Sequence, residues 1–245
     1  MKRLIFSMLI LLIIVSCQTA REGNTKVAGN IRGVPGELMK LVEVGPSNSV
    51  VIDSVIIGKS GDFSFHLNLK EPGLYLLSLP PNNILIFELR PGDTVGIKSG
   101  GISHLEDVII TGSPSSSDMK KFFNATFRNR RVYDSLQSSL LSHQGDPDFA
   151  GFSKKLDESF KPVWENQHTL ETEYVNRHLN SLTSLLILNQ GIGTSPVLTF
   201  HNDSVYFLKI DSSLGRSFPG NKHAVFHHNR IIREREMEAV KKQTR

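Results

Sequence analysis

Cys17 is the only cysteine among the 245 residues and therefore the only thiol available for chemistry. A lone thiol can accept a group but cannot close a disulfide within its own chain. Two carboxylates stand in suggestive company, Asp53 beside Ser54 and Asp93 behind Gly92. The first falls in a β-branched run and the second in a turn, where aspartate bonds its own backbone, so structural roles are expected for both. His223, His227 and His228 raise a metal hypothesis, since the first two, four apart, would share a helix face. No neighbouring cysteine or carboxylate completes that set, and no metal is expected. Phe122, Phe123, Phe127 and Tyr133 could line a groove, but at helical spacing they read as core. The chain carries neither a Gly-x-Ser-x-Gly elbow nor a Gly-x-x-x-x-Gly-Lys phosphate loop. No catalytic or cofactor-binding residue is assigned, and no cofactor is expected.

The first residues say what Cys17 is for. Lys2 and Arg3 precede an apolar run from Leu4 to Val15, interrupted only by Ser7, and the small Ser16 follows. That is the order of a secretory signal. The run is shorter than the roughly 20 residues a spanning helix needs. Ile14-Val15-Ser16-Cys17 resembles the lipobox of bacterial lipoproteins, in which the cysteine thiol takes a diacylglycerol before the peptide is cut ahead of it. Residues 1 to 16 then read as a signal peptide and Cys17 as the lipidated first residue, with ordinary cleavage after Ala20 as the alternative. Several acyl chains on one residue make a stable anchor. Gln18 is not the aspartate that retains lipoproteins at the inner membrane, so the expected location is the cell envelope, at the outer membrane. In a bacterial lipoprotein the Asn124-Ala125-Thr126 glycosylation pattern reads as chance.

Losing Lys2 and Arg3 lowers the 28 basic residues to 26 against 24 acidic, and the net charge from +4 to +2. That balance argues against nucleic acid as a partner. The expected partners are the membrane, through the lipid, and another envelope protein. About 229 mature residues suffice for one large or two small domains.

Residues 17 to 26 read as lipidated cysteine and tether, 27 to 113 as a β-sandwich domain and 114 to 245 as a helical domain. Phe63, Phe65, Leu67 and Leu69 alternate with polar residues, as a strand with one buried face must. Val50 to Ile57, ending at Gly58-Lys59-Ser60-Gly61, is expected to pair with it as a hairpin. Further runs occur at Leu38 to Val44, Leu74 to Leu79, Ile84 to Leu89, Thr94 to Ile97 and Val108 to Ile110, separated by Pro-Gly and Asn-rich turns. The class is α+β: an antiparallel sandwich of about seven or eight strands, then a helical segment. Helical spacing begins after Pro114, and a second helix opens at Asp146-Pro147, carries Phe149, Phe152, Leu156, Phe160, Val163 and Trp164 inward and should kink or divide at Pro162. A third covers Leu182 to Leu188, a fourth lies near Val205 to Leu214, and the tail from Arg230 reads as a solvated helix.

Five short pieces carry a resemblance when taken in order: Val51-Ile52-Asp53-Ser54-Val55, Gly61-Asp62-Phe63-Ser64-Phe65, Pro72-Gly73-Leu74-Tyr75, Leu89-Arg90-Pro91-Gly92-Asp93 and Thr111-Gly112-Ser113-Pro114. Together they resemble the N-terminal module, a domain of unknown function, of Gram-negative lipoproteins related to thiol-disulfide interchange proteins. The helical region resembles that family's middle segment. The resemblance implies a thioredoxin-like domain with a Cys-x-x-Cys site further on, but the chain ends at Arg245, about where it would begin. Either a naturally short member or a truncated frame is expected, and the family's redox cysteines map onto no residue here.

Three functional readings follow. The first is a non-catalytic, lipid-anchored envelope protein whose sandwich binds or scaffolds. The second is an accessory or truncated member of a thiol-disulfide interchange system. The third is a hydrolase with an unrecognised site.

Overall fold

The computed structural model describes residues 23–79, 83–101 and 107–243, and everything below refers to these. Residues 1 to 22, with the expected signal peptide and Cys17, lie outside them. Eight strands form two four-stranded sheets packed face to face. The first sheet, in the order β4-β1-β7-β8, is built from β1 (Thr25–Ile31), β4 (Asp62–Leu67), β7 (Thr94–Ser99) and β8 (Ile109–Thr111). The second, in the order β3-β2-β5-β6, is built from β2 (Leu38–Val44), β3 (Ser49–Ile56), β5 (Gly73–Leu79) and β6 (Asn83–Leu89). Phe63, Phe65 and Leu67 of β4 point inward as their alternation requires, meeting Val27, Met39, Leu41, Phe87 and Ile97 in the core.

Three strand expectations need correction. The sheets are antiparallel except that β1 and β7 run parallel. The chain leaves β1 for the other sheet, returns to the first in β4 antiparallel to β1, crosses again through β5 and β6, and comes back in β7 pointing the same way as β1. β1 escapes the pattern reading because Ala28, Gly29 and Asn30 interrupt it, and Gly29 is required there: a Cβ would lie 1.8 Å from the Ile97 carbonyl oxygen. The expected hairpin of β3 and β4 does not form, since β3 pairs with β2 and β4 with β1. The Gly58–Gly61 turn carries the chain from one sheet to the other, and Ile31 of β1 donates its N–H to the Gly61 carbonyl at 2.9 Å.

At β5 and β6 the second sheet is covered on both faces, and this decides where the helices sit. Leu85, Phe87 and Leu89 of β6 enter the sandwich core, whereas Leu74 of β5, with Val44 and Ile86, joins a second core made by the helices. A strand buried on both sides reads as a near-continuous apolar run, which is what Leu74-Tyr75-Leu76-Leu77 shows. α1 (Pro114–Ser142) starts at Pro114, whose missing N–H is harmless in a first turn. It returns as α2 (Phe149–Arg177), and the base of this pair is buried through Met119, Phe122, Tyr174 and Val175. Towards the tip Leu156 is buried, while Phe152 stacks on His143 and Phe160 leans on Tyr133 at half-exposed positions. Pro162 lies inside α2 without dividing it. Pro162 and Glu158, whose carbonyl it leaves without an N–H, are both exposed, so water can serve that carbonyl. The short α3 (Thr183–Ile187) leads through a two-residue pair, β9 (Gly191–Ile192) with β10 (Ser195–Pro196), into α4 (Phe200–Ser217). Thr199 caps α4 by accepting the Asn202 N–H at 3.3 Å. α5 (Lys222–Gln243) begins eight residues before the expected solvated tail, and one face of its first three turns is core, through His223, Ala224, His227 and Ile231.

Gly61 has φ +91, and a Cβ there would sit 2.5 Å from the Ile31 carbonyl oxygen. Gly61→Val should therefore lower stability by about 1 to 3 kcal/mol. Urea denaturation of the two chains tests this, and an unchanged midpoint would contradict the crossing turn described here.

Candidate functional site

A charged side chain sits where the helices meet the outer face of the second sheet. Glu88, near the end of β6 and opposite Leu74 of β5, is 1 % exposed. A carboxylate so far from water needs a full set of donors. Oε1 takes the Arg90 Nε–H at 2.6 Å. Oε2 accepts from the Ser181 hydroxyl and, at 3.4 Å, from the Thr183 N–H at the start of α3. The backbone of Glu88 is engaged too: its N–H donates to Ser116 Oγ at 2.9 Å, and its carbonyl accepts from Ser116 and, at 3.5 Å, from Ser113. Tyr174 of α2 completes the circle, its hydroxyl 2.7 Å from Thr183 Oγ1 and donating to the Ser115 carbonyl at 3.0 Å.

Arg90 carries the network further. Its Nη2 donates to the Asn180 carbonyl at 3.0 Å, and its guanidinium lies 5.4 Å from the Phe218 ring centroid, just beyond α4. The turn after it is held in place by Asp93, whose carboxylate accepts the Arg90 N–H at 2.8 Å, and by the buried Thr25 hydroxyl, which donates to the Arg90 carbonyl at 3.2 Å. Against this turn packs Gly112, at φ +79, where a Cβ would be 2.0 Å from the Thr94 carbonyl oxygen. A cavity of about 260 Å³ opens beside the junction, lined by Arg90, Asp93, Ser113, Ser115, His178 and Asn180 among others. His178 packs against Tyr174 at a tilt, its Nε2 3.3 Å from Asp118 Oδ2, and burial pushes its pKa down. The serines around Glu88 are spent on that residue and on one another, so the arrangement fastens elements together.

The residues singled out from sequence are scattered. Asp93 is the turn residue just described, and Asp53 Oδ1 accepts the N–H of Ser54 at 2.8 Å. The three histidines of α5 face different neighbours: His227 Nε2 meets the Phe207 carbonyl at 3.1 Å, His228 meets Asp211 at 3.1 Å, and His223 is buried against β2. Among the described residues no group of three or more metal-ligating side chains occurs. Phe122 lies 5.6 Å from both Phe123 and Tyr174, and Tyr133 lies 5.3 Å from Phe160, whereas Phe127 is exposed. Among the described helices none is long and apolar enough to cross a membrane. The expected lipidation site, Cys17, lies outside the described residues.

Residues 25–119 match the family model of a domain of unknown function, DUF4369. No curated protein and no solved structure matches the chain. The DUF4369 stretch takes in the whole sandwich and the opening turns of α1, and so includes Glu88, Arg90, Asp93, Gly112, Ser113 and Ser116. Four of the five pieces that carry the resemblance thus acquire a physical meaning. Gly61 to Phe65 is the crossing turn with its inward strand. Pro72 to Tyr75 meets the helical core through Leu74, and the Pro72 carbonyl accepts from Asn221 ahead of α5 at 2.8 Å. Leu89 to Asp93 and Thr111 to Pro114 abut at the junction. The remaining Glu88 ligands, Ser181 and Thr183, come from beyond residue 119. Glu88 is the residue that sequence reasoning missed. Its signal was there: one charge inside the apolar run Ile84 to Leu89.

A second polar file runs inward from the exposed Asn166 between α1, α2 and α4. Asn166 donates to Asn129 at 2.9 Å, Asn129 to Gln167 at 3.0 Å, and Gln167 to Glu171 Oε1 at 2.8 Å. Glu171 is wholly buried with Oε2 unpartnered, and desolvation, with nearby Asp203 adding to it, pushes its pKa up to about 8. Asp203 is itself engaged by His168 at 2.8 Å and by the Thr199 N–H at 3.0 Å. Unfolded, Glu171 ionises near 4.5, whereas folded it keeps its proton to about 8. Its contribution is therefore fully present below 4.5 and is lost as pH rises towards 8, at up to roughly 1.4 kcal/mol per pH unit. Glu171→Gln keeps the bond to Gln167 and removes the titration. Denaturant titrations at about pH 5 and pH 8 should show the wild-type chain losing stability relative to Glu171→Gln; parallel behaviour of the two would refute the assignment.

Proposed function

We propose that this chain is a non-catalytic, lipid-anchored protein of the cell envelope, held at the outer membrane by Cys17 and binding an envelope protein through its sandwich. The observation that carries the binding half is β3, an edge of the described sheet. Val50 and Val51 are just over half exposed and Ile56 is 60 % exposed, with Ile52 and Leu38 beside them. Apolar side chains on an edge strand without lysine or proline invite a strand or an apolar surface from a partner. The spent state of the junction carboxylate and serines supports a role in architecture over chemistry. A second reading makes the chain an accessory of a thiol-disulfide interchange system. The match over residues 25–119 supports it, being the type of module that the resemblance sets ahead of a thioredoxin-like domain.

Both halves can be tested in cells. Labelled palmitate should enter the wild-type chain and not Cys17→Ser, which should accumulate as precursor or soluble protein; a membrane-bound, mature-sized Cys17→Ser would refute the anchor. A photo-crosslinking residue at position 51 should give one discrete protein adduct that is absent when the same residue is at position 144, on the hairpin tip. No adduct at 51 would refute the edge as a binding surface, and an adduct containing a Cys-x-x-Cys protein would favour the second reading.

A further inference from the structure

Three of the four residues from Arg128 to Arg131, midway along α1, carry a fixed positive charge. Arg128, Arg130 and Arg131 are all exposed, and among the described residues none of them forms an ion pair or a side-chain hydrogen bond. Over its whole length α1 holds five basic residues against two acidic ones, and one of the acids, Asp118, already faces Lys121 at 2.7 Å. α5 also has three arginines, but there the signs alternate through Arg233-Glu234-Arg235-Glu236, and Arg230 has Glu234 beside it. Arg128 and Arg131 lie one turn apart on one face, and like charges so placed weaken a helix. The stripe is therefore a local cost that an outside anion would offset.

Arg128, Arg131 and Ser135 border a shallow groove along α1, with Val132 and Leu136 as its apolar side. Phe127 and Val132 are nearly half exposed. Guanidinium groups match phosphate oxygens two at a time. A helix face that joins arginines to exposed apolar residues suits the boundary between lipid headgroups and acyl chains. The position of α1 fits the same surface. The Lys26 N–H donates to the Asp93 carbonyl at 2.9 Å, Lys26 is the β1 partner of Thr94, and Gly112 abuts the Thr94 carbonyl. Two strand spacings, about 10 Å, therefore separate the start of β1 from the start of α1. Cys17 lies seven residues ahead of Asn24, a reach of at most about 25 Å. Arg128 is about 21 Å along α1 from Pro114. A bilayer that holds Cys17 is thus within reach of the stripe.

We infer that the face of α1 from Arg128 to Ser135 docks on a bilayer surface of anionic phospholipid, with Arg128 and Arg131 donating to lipid phosphates, and so fixes how the anchored chain lies on its membrane. The orientation rests on the anchor at Cys17 proposed above, whereas the affinity of the stripe for anionic lipid does not. The surface uses no residue of β3 and none of the junction around Glu88.

The test reconstitutes the full chain in vesicles of phosphatidylcholine, alone or with phosphatidylglycerol, each carrying a headgroup nitroxide lipid as quencher. A fluorescent amino acid at position 138, exposed and two turns beyond Arg131, reports the distance of α1 from the headgroups. Quenching should appear with phosphatidylglycerol, stay weak with phosphatidylcholine alone and fade as salt rises. The ratio of docked to undocked chain should fall about fivefold for each arginine removed, in Arg128→Gln and then in Arg128→Gln/Arg131→Gln. Arg128→Lys/Arg131→Lys keeps the charge and should keep most of the quenching. Flotation with phosphatidylcholine vesicles reports the anchor alone: its failure would refute lipidation of Cys17, while charge-dependent quenching on phosphatidylglycerol would still uphold the stripe. Equal quenching on the two vesicles, quenching indifferent to the glutamine pair, or a loss in the lysine pair as complete as in the glutamine pair would each overturn the proposal. So would displacement from phosphatidylglycerol by polyglutamate at matched ionic strength, the mark of an acidic protein partner.

Discussion

The Glu88 carboxylate has to be satisfied away from water, and the elements around it are arranged to do so. An ionised carboxylate in such a place is tolerable only with a paired cation and hydrogen bonds to both oxygens. Arg90 supplies the cation from two residues along the chain, Ser181 and Thr183 supply the donors ahead of α3, and Ser113 and Ser116 grip its backbone from the start of α1. Each ligand fixes the position of an element that hydrophobic packing alone would leave free to slide. Apolar contact is nearly indifferent to small displacements, whereas a hydrogen bond is lost within a few tenths of an ångström.

From that joint the rest of the architecture follows. The second sheet serves two cores, one against the first sheet and one against the helices, and Leu74 and Glu88 face each other across β5 and β6 on the helical side. α4 and α5 close over the second core, tied to the sheet by Arg90 over Phe218, by Asn221 on the Pro72 carbonyl and by Lys222 beside Glu43. The α1–α2 pair is anchored at its base and loses burial outward, which leaves Val132 and Leu141 exposed. The DUF4369 stretch contains the carboxylate but not all its ligands, so within this chain the helices complete what the sandwich begins.

Much of this was legible in the residues. Alternation at Phe63, Phe65 and Leu67 located β4, and turn chemistry separated most of the remaining strands. The change to helical spacing after Pro114 marked the boundary between layers. What failed did so for physical reasons. β1 is central, but its middle is Ala-Gly-Asn, and at Gly29 the Ile97 carbonyl leaves no room for a side chain. The β3–β4 pairing looked local, and nothing in a glycine turn says whether the next strand stays in its sheet. Glu88 escaped because period-two reading assumes a wet face, and β6 from Leu85 to Leu89 has none. His223 and His227 do share a helix face, as their spacing requires, but that face is turned to the protein interior.

The central claim is that the carboxylate of Glu88 and the hydroxyl of Ser181 act as a unit across the joint of sheet and helices. A double-mutant cycle of Glu88→Ala and Ser181→Ala, read by urea denaturation of the full chain, measures that coupling directly. The structure predicts a coupling of about 1 to 3 kcal/mol, with the second substitution costing much less once the first is present. Additivity to within about 0.5 kcal/mol would contradict it, because two residues that contribute independently do not share a bond.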